Sequence, residues 1–194
     1  MSEPGMGTAG TRMTDPSGPE ANGPGTAGAE AVLALGANLG DPVATLAAAV
    51  RAIADEPGLT LLAASPVAVT APVGGPSGQP DYRNLVVRVA TGLGPEDLLA
   101  ACHRIEARFG RERLVRWGPR TLDVDIVTVV TADGELHRAD PDLTLPHASA
   151  AGRAFVLAPW SWMEPDATLD GVPVADLLIA AGDRDGVRRA EDPA

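Results

Sequence analysis

The chain contains no lysine, and among its 194 residues it has one cysteine, one tyrosine and two phenylalanines. The single Cys102 excludes an internal disulfide and any zinc site built from several cysteines. A membrane-spanning helix needs about 20 consecutive apolar residues, and no run in this sequence approaches that length. The N-terminus lacks the basic segment followed by an apolar segment that is typical of a secretory signal. We therefore expect a cytoplasmic protein with no membrane partner.

Positive charge is scarce but clustered. The net charge of -11 argues against the broad basic surface that nucleic-acid binding requires. All 15 basic residues are arginines, and six of them lie between residues 104 and 120, opposed there only by Glu106 and Glu112. A local positive cluster in an acidic protein favours a small anion over a polymer. The six are Arg104, Arg108, Arg111, Arg113, Arg116 and Arg120.

Composition divides the chain into three parts. Residues 1–30 are rich in glycine and proline, with no large apolar residue except methionine, and are predicted to be a disordered tail. Residues 31–181 carry the ordered pattern and form one domain. Residues 182–194 are charged and are predicted to fray.

The ordered part alternates short apolar runs with helical patterns. Strands are predicted at 31–36, 59–70, 83–91 and 121–130, and helices at 42–55 and 95–110. The order βαββαβ predicts an α+β fold, a ferredoxin-like sandwich with an antiparallel sheet. Extra C-terminal helical segments are expected near 153–157 and 174–181.

Two aspartates one residue apart follow the arginine cluster. Residues i and i+2 of a strand share a face, so Asp123 and Asp125 project together while Leu122, Val124 and Ile126 point into the core. Paired carboxylates suit Mg²⁺, and arginines beside them suit phosphate oxygens. The alternative is the solvated face of an edge strand.

Five segments, in order along the chain, resemble the hydroxymethyldihydropterin pyrophosphokinases of folate biosynthesis. The eleven residues RWGPRTLDVDI at 116–126 are similar to the signature of that family. The other four segments are LGANLGD at 35–41, QPDYRN at 79–84, RIE with GR at 104–111, and LTLPH with RAFVLAP at 143–159. The resemblance covers residues 31–181.

The resemblance implies a reaction and its site. ATP would donate a diphosphate to the hydroxymethyl group of a dihydropterin, with two Mg²⁺ ions held by Asp123 and Asp125, and with these two and Arg111 and Arg120 as catalytic residues. We expect a monomer and leave a dimer open. The implied ATP contacts are Glu106, Arg111, Arg116, Trp117, Arg120, Ile126, His147 and Arg153. The implied pterin contacts are Thr70, Val73, Tyr82, Asn84, Trp117, Asp123 and Phe155.

Two other functions share this sheet topology. Palm-type nucleotidyl transferases also carry carboxylates on their strands, although the acidic charge of this chain argues against a polymer substrate. A small-molecule sensing module would use the same fold without catalysis, because fold alone does not fix function. Such a module would leave the arginines and paired aspartates without a role.

Overall fold

The computed structural model of the chain describes residues 1, 28–72, 78–110 and 121–191. None of the helices in these ranges is long and apolar enough to cross a membrane. The helices are α1 (Pro42–Ala54), α2 (Pro95–Arg108), α3 (Ala154–Met163) and α4 (Val174–Ala180). The strands are β1 (Ala29–Ala37), β2 (Leu59–Ala64), β3 (Ala68–Thr70), β4 (Tyr82–Thr91), β5 (Asp123–Thr131), β6 (Gly134–Glu135), β7 (Arg138–Ala139), β8 (Thr144–Leu145), β9 (Thr168–Leu169), β10 (Val172–Pro173) and β11 (Val187–Arg189).

The predicted α+β fold with an antiparallel sheet is confirmed. In the described ranges a seven-stranded sheet has the order β11-β3-β4-β1-β5-β6, and β2 also pairs with β4. The predicted strand 59–70 is divided into β2 and β3, and residues 65–67 between them belong to neither strand. The Ser65 hydroxyl accepts a hydrogen bond from the N–H of Val86 at 3.0 Å, which keeps both pieces on β4.

Helices cover both faces of the sheet. Helices α1 and α2 pack on one face, where Leu46, Ile53, Leu98 and Ile105 are fully or almost fully buried against β1, β4 and β5. Helices α3 and α4 pack on the other face, around Trp160 and neighbouring apolar side chains. The C-terminal helical segments predicted from the sequence therefore form the second helical layer.

Helix α1 begins at the residue predicted from the sequence, Pro42. The Asp41 carboxylate accepts a hydrogen bond from the N–H of Ala44 at 3.0 Å, and Pro42 is the first helical residue. This cap satisfies a donor that has no partner within the helix. Helix α2 also begins at a proline, Pro95, and is followed by Gly110 with a φ of +66°. Both predicted helices are confirmed.

A buried carboxylate joins the turn after α1 to helix α2. The Glu56 side chain is 1% exposed, and its Oε1 accepts from the Arg104 Nε at 2.9 Å. Its Oε2 accepts from the Arg108 Nη2 at 2.7 Å. The sequence places these two arginines in the cluster that favours a small anion. They instead neutralise Glu56, so this pair of the arginine cluster stabilises the fold.

We expect Glu56→Ala to lower the free energy of unfolding by about 1–3 kcal/mol, because two charge-assisted hydrogen bonds are lost. Both arginines are about half exposed and can be hydrated afterwards, which limits the loss. Urea denaturation measures the effect. The matched control is Asp55→Ala, which removes a carboxylate from the adjacent, exposed position. Equal stabilities for the two variants would contradict this role of Glu56.

The C-terminal segment is ordered through residue 191, contrary to the expectation that the chain frays from Gly182. Strand β11 pairs antiparallel with β3, with Val187 opposite Thr70. The N–H of Ala190 donates to the carbonyl of Val67 at 2.8 Å. The prediction was wrong because it was based on local charge and composition. The exposed backbone of the short edge strand β3 supplies hydrogen-bond partners from far away in the sequence.

Candidate active site

A cleft with a volume of about 640 Å³ opens at one end of the sheet. Strand β1 runs antiparallel to both β4 and β5, so its last residues lie between the first residues of those two strands. Gly36 is thereby opposite Asn84 on one side and Asp123 on the other. Eight of the predicted site residues line this cleft, namely Thr70, Tyr82, Asn84, Asp123, Asp125, His147, Arg153 and Phe155.

The two aspartates of β5 face the cleft together. Asp123 and Asp125 are half-buried, whereas Val124 between them is 3% exposed and packs in the core on the α1 and α2 side. Their shared face is therefore the one predicted from strand geometry. Two carboxylates at this spacing are hard oxygen donors of the kind that Mg²⁺ prefers. The donor set fits that ion, and the edge-strand alternative does not explain why both carboxylates enter one cavity.

Glu106 holds the strand that carries these aspartates. Its side chain is buried, and its Oε1 accepts a hydrogen bond from the N–H of Val124 at 2.8 Å. Among the described residues, the start of β5 pairs with a strand on one side only, namely β1, because β6 pairs with residues 130 and 131. Glu106 therefore satisfies a backbone donor on the open edge, directly between Asp123 and Asp125.

A buried amide lies on the opposite side of Gly36. Asn84 is 6% exposed, and its Nδ2 donates to the Thr70 hydroxyl oxygen at 2.9 Å. The Tyr82 ring, two residues earlier on β4, also lines the cleft, and its hydroxyl donates to Gln79 Oε1 at 3.4 Å. A carboxamide offers both donors and an acceptor. This part of the cleft can therefore bind the polar edge of a flat heterocycle.

Gly36 lacks a side chain where one would strike Asn84. A Cβ built on Gly36 would lie 2.8 Å from Asn84 Oδ1, closer than real Cβ atoms approach. We expect Gly36→Ala to move the carboxamide and to raise the KM of the heterocyclic substrate about tenfold. Steady-state kinetics tests this. The control is Gly92→Ala, because a Cβ there meets no described atom within 4 Å. An unchanged KM in Gly36→Ala would contradict the close approach.

His147 is held by the chain on both sides. Its backbone N–H donates to the backbone carbonyl of Val127 at 2.8 Å. Its ring nitrogen Nδ1 accepts a hydrogen bond from the backbone N–H of Ser149 at 3.2 Å. When Nδ1 accepts, the neutral imidazole carries its proton on Nε2. His147 can thus donate a hydrogen bond from Nε2 to an anionic ligand in the cleft.

Arg153 and Phe155 form the α3 side of the cleft. Arg153 is the residue before the first residue of α3, and Phe155 is the second residue of that helix. The guanidinium carbon of Arg153 lies 5.6 Å from the centroid of the Phe155 ring, which is within the range of a cation–π contact. The pair brings a permanent positive charge and an aromatic surface to the same wall.

Cys102 on α2 is buried, and its thiol is unreactive. Burial raises the pKa of its thiol to about 12, and the negative charges of Glu106 and Asp125 contribute to the rise. A thiol with such a pKa stays protonated at neutral pH, and the thiolate is the nucleophilic form. Cys102 therefore acts as a core residue.

Comparison with known families identifies the family of the chain. The family model described as 7,8-dihydro-6-hydroxymethylpterin-pyrophosphokinase (HPPK) matches residues 32–165. The chain belongs to the HPPK family. The match includes the whole of β4, β5 and α2 and all of β1 except its first three residues, and it therefore includes the residues that line the cleft from these elements.

Several relatives carry a name of the same kind. The chain is 40% identical over 161 residues to a 2-amino-4-hydroxy-6-hydroxymethyldihydropteridine pyrophosphokinase of Methylorubrum extorquens, covering 83% of this chain and 98% of that protein. It is 42% identical over 149 residues to the pyrophosphokinase of that name from Pseudomonas aeruginosa, covering 76% and 89%. The Mycobacterium bovis protein of that name is 37% identical over 168 residues.

Solved structures share the fold of the HPPK chain. A crystal structure of Plasmodium falciparum HPPK-DHPS with pteroate matches with a TM-score of 0.60 at 13% identity. The match covers 84% of this chain and 46% of that chain, so this chain spans about half the length of that protein. A second structure of that protein, with pterin and p-hydroxybenzoate, also has a TM-score of 0.60 at 12% identity and covers 84% and 47%.

Not all predicted site residues of this HPPK lie in the cleft. Glu106 and Ile126 are in the described part of the chain but outside the cleft lining, and the Ile126 side chain is 3% exposed in the core. An ATP contact from Ile126 would therefore have to use its backbone. The remaining predicted residues, Val73, Arg111, Arg116, Trp117 and Arg120, lie outside the described residues.

The residues of the cleft lining that sequence reasoning missed include Gly36 and Asp183. Gly36 occurs within a quoted motif, but its role depends on the strand register that sets it between Asn84 and Asp123. Asp183 also lines the cleft, although it was assigned to the frayed tail. No local signal marks Asp183, because its partner in α3 is 29 residues away.

Proposed function

We propose that this HPPK transfers the diphosphate group of ATP to the hydroxymethyl group of 6-hydroxymethyl-7,8-dihydropterin in tetrahydrofolate biosynthesis. The products are the pterin diphosphate and AMP. One observation carries the proposal: the paired carboxylates of β5 line the same cleft as a buried amide and two aromatic rings. Family membership and the pyrophosphokinase names of the relatives support it.

The reaction forms a bond between the hydroxymethyl oxygen and the β-phosphorus of ATP. The bond from that phosphorus to the bridging oxygen of the α-phosphate breaks, and AMP leaves with this oxygen while the hydroxyl proton is lost. Asp123 and Asp125 would hold Mg²⁺, for which we propose two ions. Bound Mg²⁺ supplies charge neutralisation and orientation of the reacting oxygens.

The pterin would bind on the Asn84 side of the cleft. Asn84 can donate to and accept from the polar edge of the ring, with Thr70 holding its carboxamide. Tyr82 and Phe155 would provide aromatic surfaces for the flat ring, each worth about 0.5–1.5 kcal/mol beyond area burial. Val73 and Trp117 stay predicted pterin contacts, and Asp123 would lie at the junction with the phosphates.

The triphosphate would be bound by cationic and hydrogen-bonding groups. Arg153 and His147 line the cleft and can bind phosphate oxygens from the α3 side. Arg111, Arg116 and Arg120 stay predicted phosphate ligands, with Arg111 and Arg120 as catalytic residues. Trp117 and the backbone of Ile126 stay predicted nucleotide contacts. For Glu106 the hydrogen bond to Val124 supports an indirect role, through the strand that carries the aspartates.

We infer a ferredoxin-like core for this HPPK. The neighbouring order β2, β4, β1, β5 in an antiparallel arrangement, with α1 and α2 packed on one face, supports that assignment. We keep residues 31–181 as the pyrophosphokinase domain and add strand β11 to it, because β11 pairs with β3. Residues 1–30 stay predicted to be a tail.

The partners we propose are two small molecules, ATP and the dihydropterin. The acidic net charge supports the absence of a nucleic-acid partner. A monomeric state and a cytoplasmic location stay predictions. The palm-type transferase and the sensing module lose support, because the family that the chain belongs to is defined by pyrophosphokinase activity.

A product assay tests the proposal. The full chain is incubated with ATP, Mg²⁺ and 6-hydroxymethyl-7,8-dihydropterin, and the nucleotides are separated and identified. We expect AMP that forms only when both the pterin and Mg²⁺ are present. ADP, or pyrophosphate released with AMP in the absence of pterin, would indicate another reaction. No turnover by folded protein would contradict the proposal.

A further inference from the structure

The C-terminal segment connects two walls of the cleft. At one end of the segment, Asp183 contacts the start of α3 and lines the cleft. At the other end, β11 pairs with β3, so that Val187 lies opposite Thr70. Thr70 is the partner of the Asn84 carboxamide. Residues 183–189 therefore join the Arg153 wall to the Asn84 wall.

Asp183 provides the cap of helix α3 from outside the helix. The N–H of Ala154, the first residue of α3, donates to Asp183 Oδ1 at 3.0 Å. In the described structure, the preceding residue Arg153 makes no side-chain capping hydrogen bond. Ala154 is fully buried, so its N–H would be costly to leave unsatisfied. A carboxylate is also favoured at the positive end of a helix dipole.

The two residues on either side of the capped residue both line the cleft. Arg153 directly precedes the capped residue, and Phe155 directly follows it. Both side chains line the cleft, and the guanidinium carbon lies 5.6 Å from the ring centroid. A shift of the first turn of α3 would move both side chains together. The orientation of this turn is thus set by a side chain from the end of the domain.

We propose that Asp183 is a positioning residue for the pyrophosphokinase reaction, acting through Arg153 and Phe155. Its carboxylate oxygen fixes the first turn of α3 by accepting the Ala154 N–H. This inference rests on the proposed function. It assigns to the C-terminal segment a part in the shape of the site, which the sequence pattern of that segment did not indicate.

Three variants of Asp183 separate capping geometry from charge. Asp183→Ala removes the acceptor. Asp183→Glu keeps the charge but moves the acceptor by one methylene. Asp183→Asn keeps an acceptor oxygen at the same distance and removes the charge, and Asn caps helices as well as Asp does. The matched control is Asp185→Ala, because Asp185 is 98% exposed in the same segment and does not line the cleft.

The wild-type chain is first shown to form AMP in a pterin-dependent reaction, so that a failed proposed function is recognised before any variant is compared. Values of kcat and KM for both substrates are then measured at a temperature where circular dichroism shows each variant folded. We expect kcat/KM for both substrates to fall about tenfold in Asp183→Ala and Asp183→Glu, through raised KM. Asp183→Asn is expected to recover most of the loss, and Asp185→Ala to match wild type.

Two results would overturn the inference. Wild-type KM values in the Ala and Glu variants, even with a lowered melting temperature, would reduce Asp183 to a stabilising residue. A large fall in kcat/KM in Asp183→Asn together with a small fall in Asp183→Glu would show that the negative charge of Asp183 matters and that its hydrogen bond to Ala154 does not. If Asp183→Ala does not fold, the comparison of Asp183→Glu with Asp183→Asn is sufficient to test the inference.

Discussion

Asp125→Asn is expected to lower kcat about 1,000-fold while the fold stays intact. The substitution keeps the size of the side chain and removes one of two charged oxygen donors that face the cleft from β5. A neutral amide binds Mg²⁺ poorly, so the phosphate charge would be less well neutralised at the reacting end. We expect the same direction for Asp123→Asn. Steady-state kinetics with circular dichroism as a folding check measures both.

The matched control for this prediction lies just beyond the same strand. Asp133→Asn removes one carboxylate from the exposed turn after β5, away from the cleft, and is expected to keep wild-type kcat. Titration with Mg²⁺ adds a second readout, because the apparent Mg²⁺ requirement should rise in Asp125→Asn and stay unchanged in Asp133→Asn. A normal kcat in Asp125→Asn would contradict the assignment of Mg²⁺ binding to the carboxylates of β5.

Asn84→Ala is expected to raise the KM of the pterin about 100-fold and to leave the KM of ATP near its wild-type value. Asn84 is buried and is the amide that we assign to the polar edge of the pterin. A polar group of the substrate that is buried without a hydrogen-bond partner costs about 1–3 kcal/mol of binding free energy. Each 1.36 kcal/mol corresponds to about a tenfold change in KM. Pterin and ATP are varied separately in steady-state assays.

Two further variants sharpen this second prediction. Thr70→Val removes the hydroxyl that holds the Asn84 carboxamide, and we expect a smaller rise of about tenfold in the pterin KM. Thr91→Val is the control, because Thr91 is a buried hydroxyl at the far end of β4 that donates to the carbonyl of Gly58. It should affect stability and not pterin binding. If Asn84→Ala raises the KM of ATP and leaves the KM of the pterin unchanged, the Asn84 side of the cleft binds ATP and not the pterin.

Local patterns predicted most of the central sheet and both of its first helices. The helices predicted at 42–55 and 95–110 correspond to α1 (Pro42–Ala54) and α2 (Pro95–Arg108). The i, i+2 rule predicted that Asp123 and Asp125 share a face. These features depend on residues that are close in sequence, so backbone geometry and apolar periodicity suffice to find them.

Features that depend on distant partners were not predictable in this way. Arg104 and Arg108 have the spacing of a solvated helix face, and only tertiary packing brings the buried Glu56 between them. Gly36 gains its role from the strand register, and Asp183 from a helix 29 residues earlier. The resemblance to a family identified the chemistry of the cleft, but it did not indicate what holds the cleft together.

The transfer of a diphosphate group is the central claim, and an isotope experiment tests it most directly. The wild-type chain is incubated with Mg²⁺, the pterin and ATP carrying ³²P at the β-phosphate, and the labelled products are separated. Diphosphate transfer moves the β-phosphate to the pterin, so the pterin product should carry the label and the AMP should not. Label that stays in ADP would mean transfer of the terminal phosphate alone and would contradict the account.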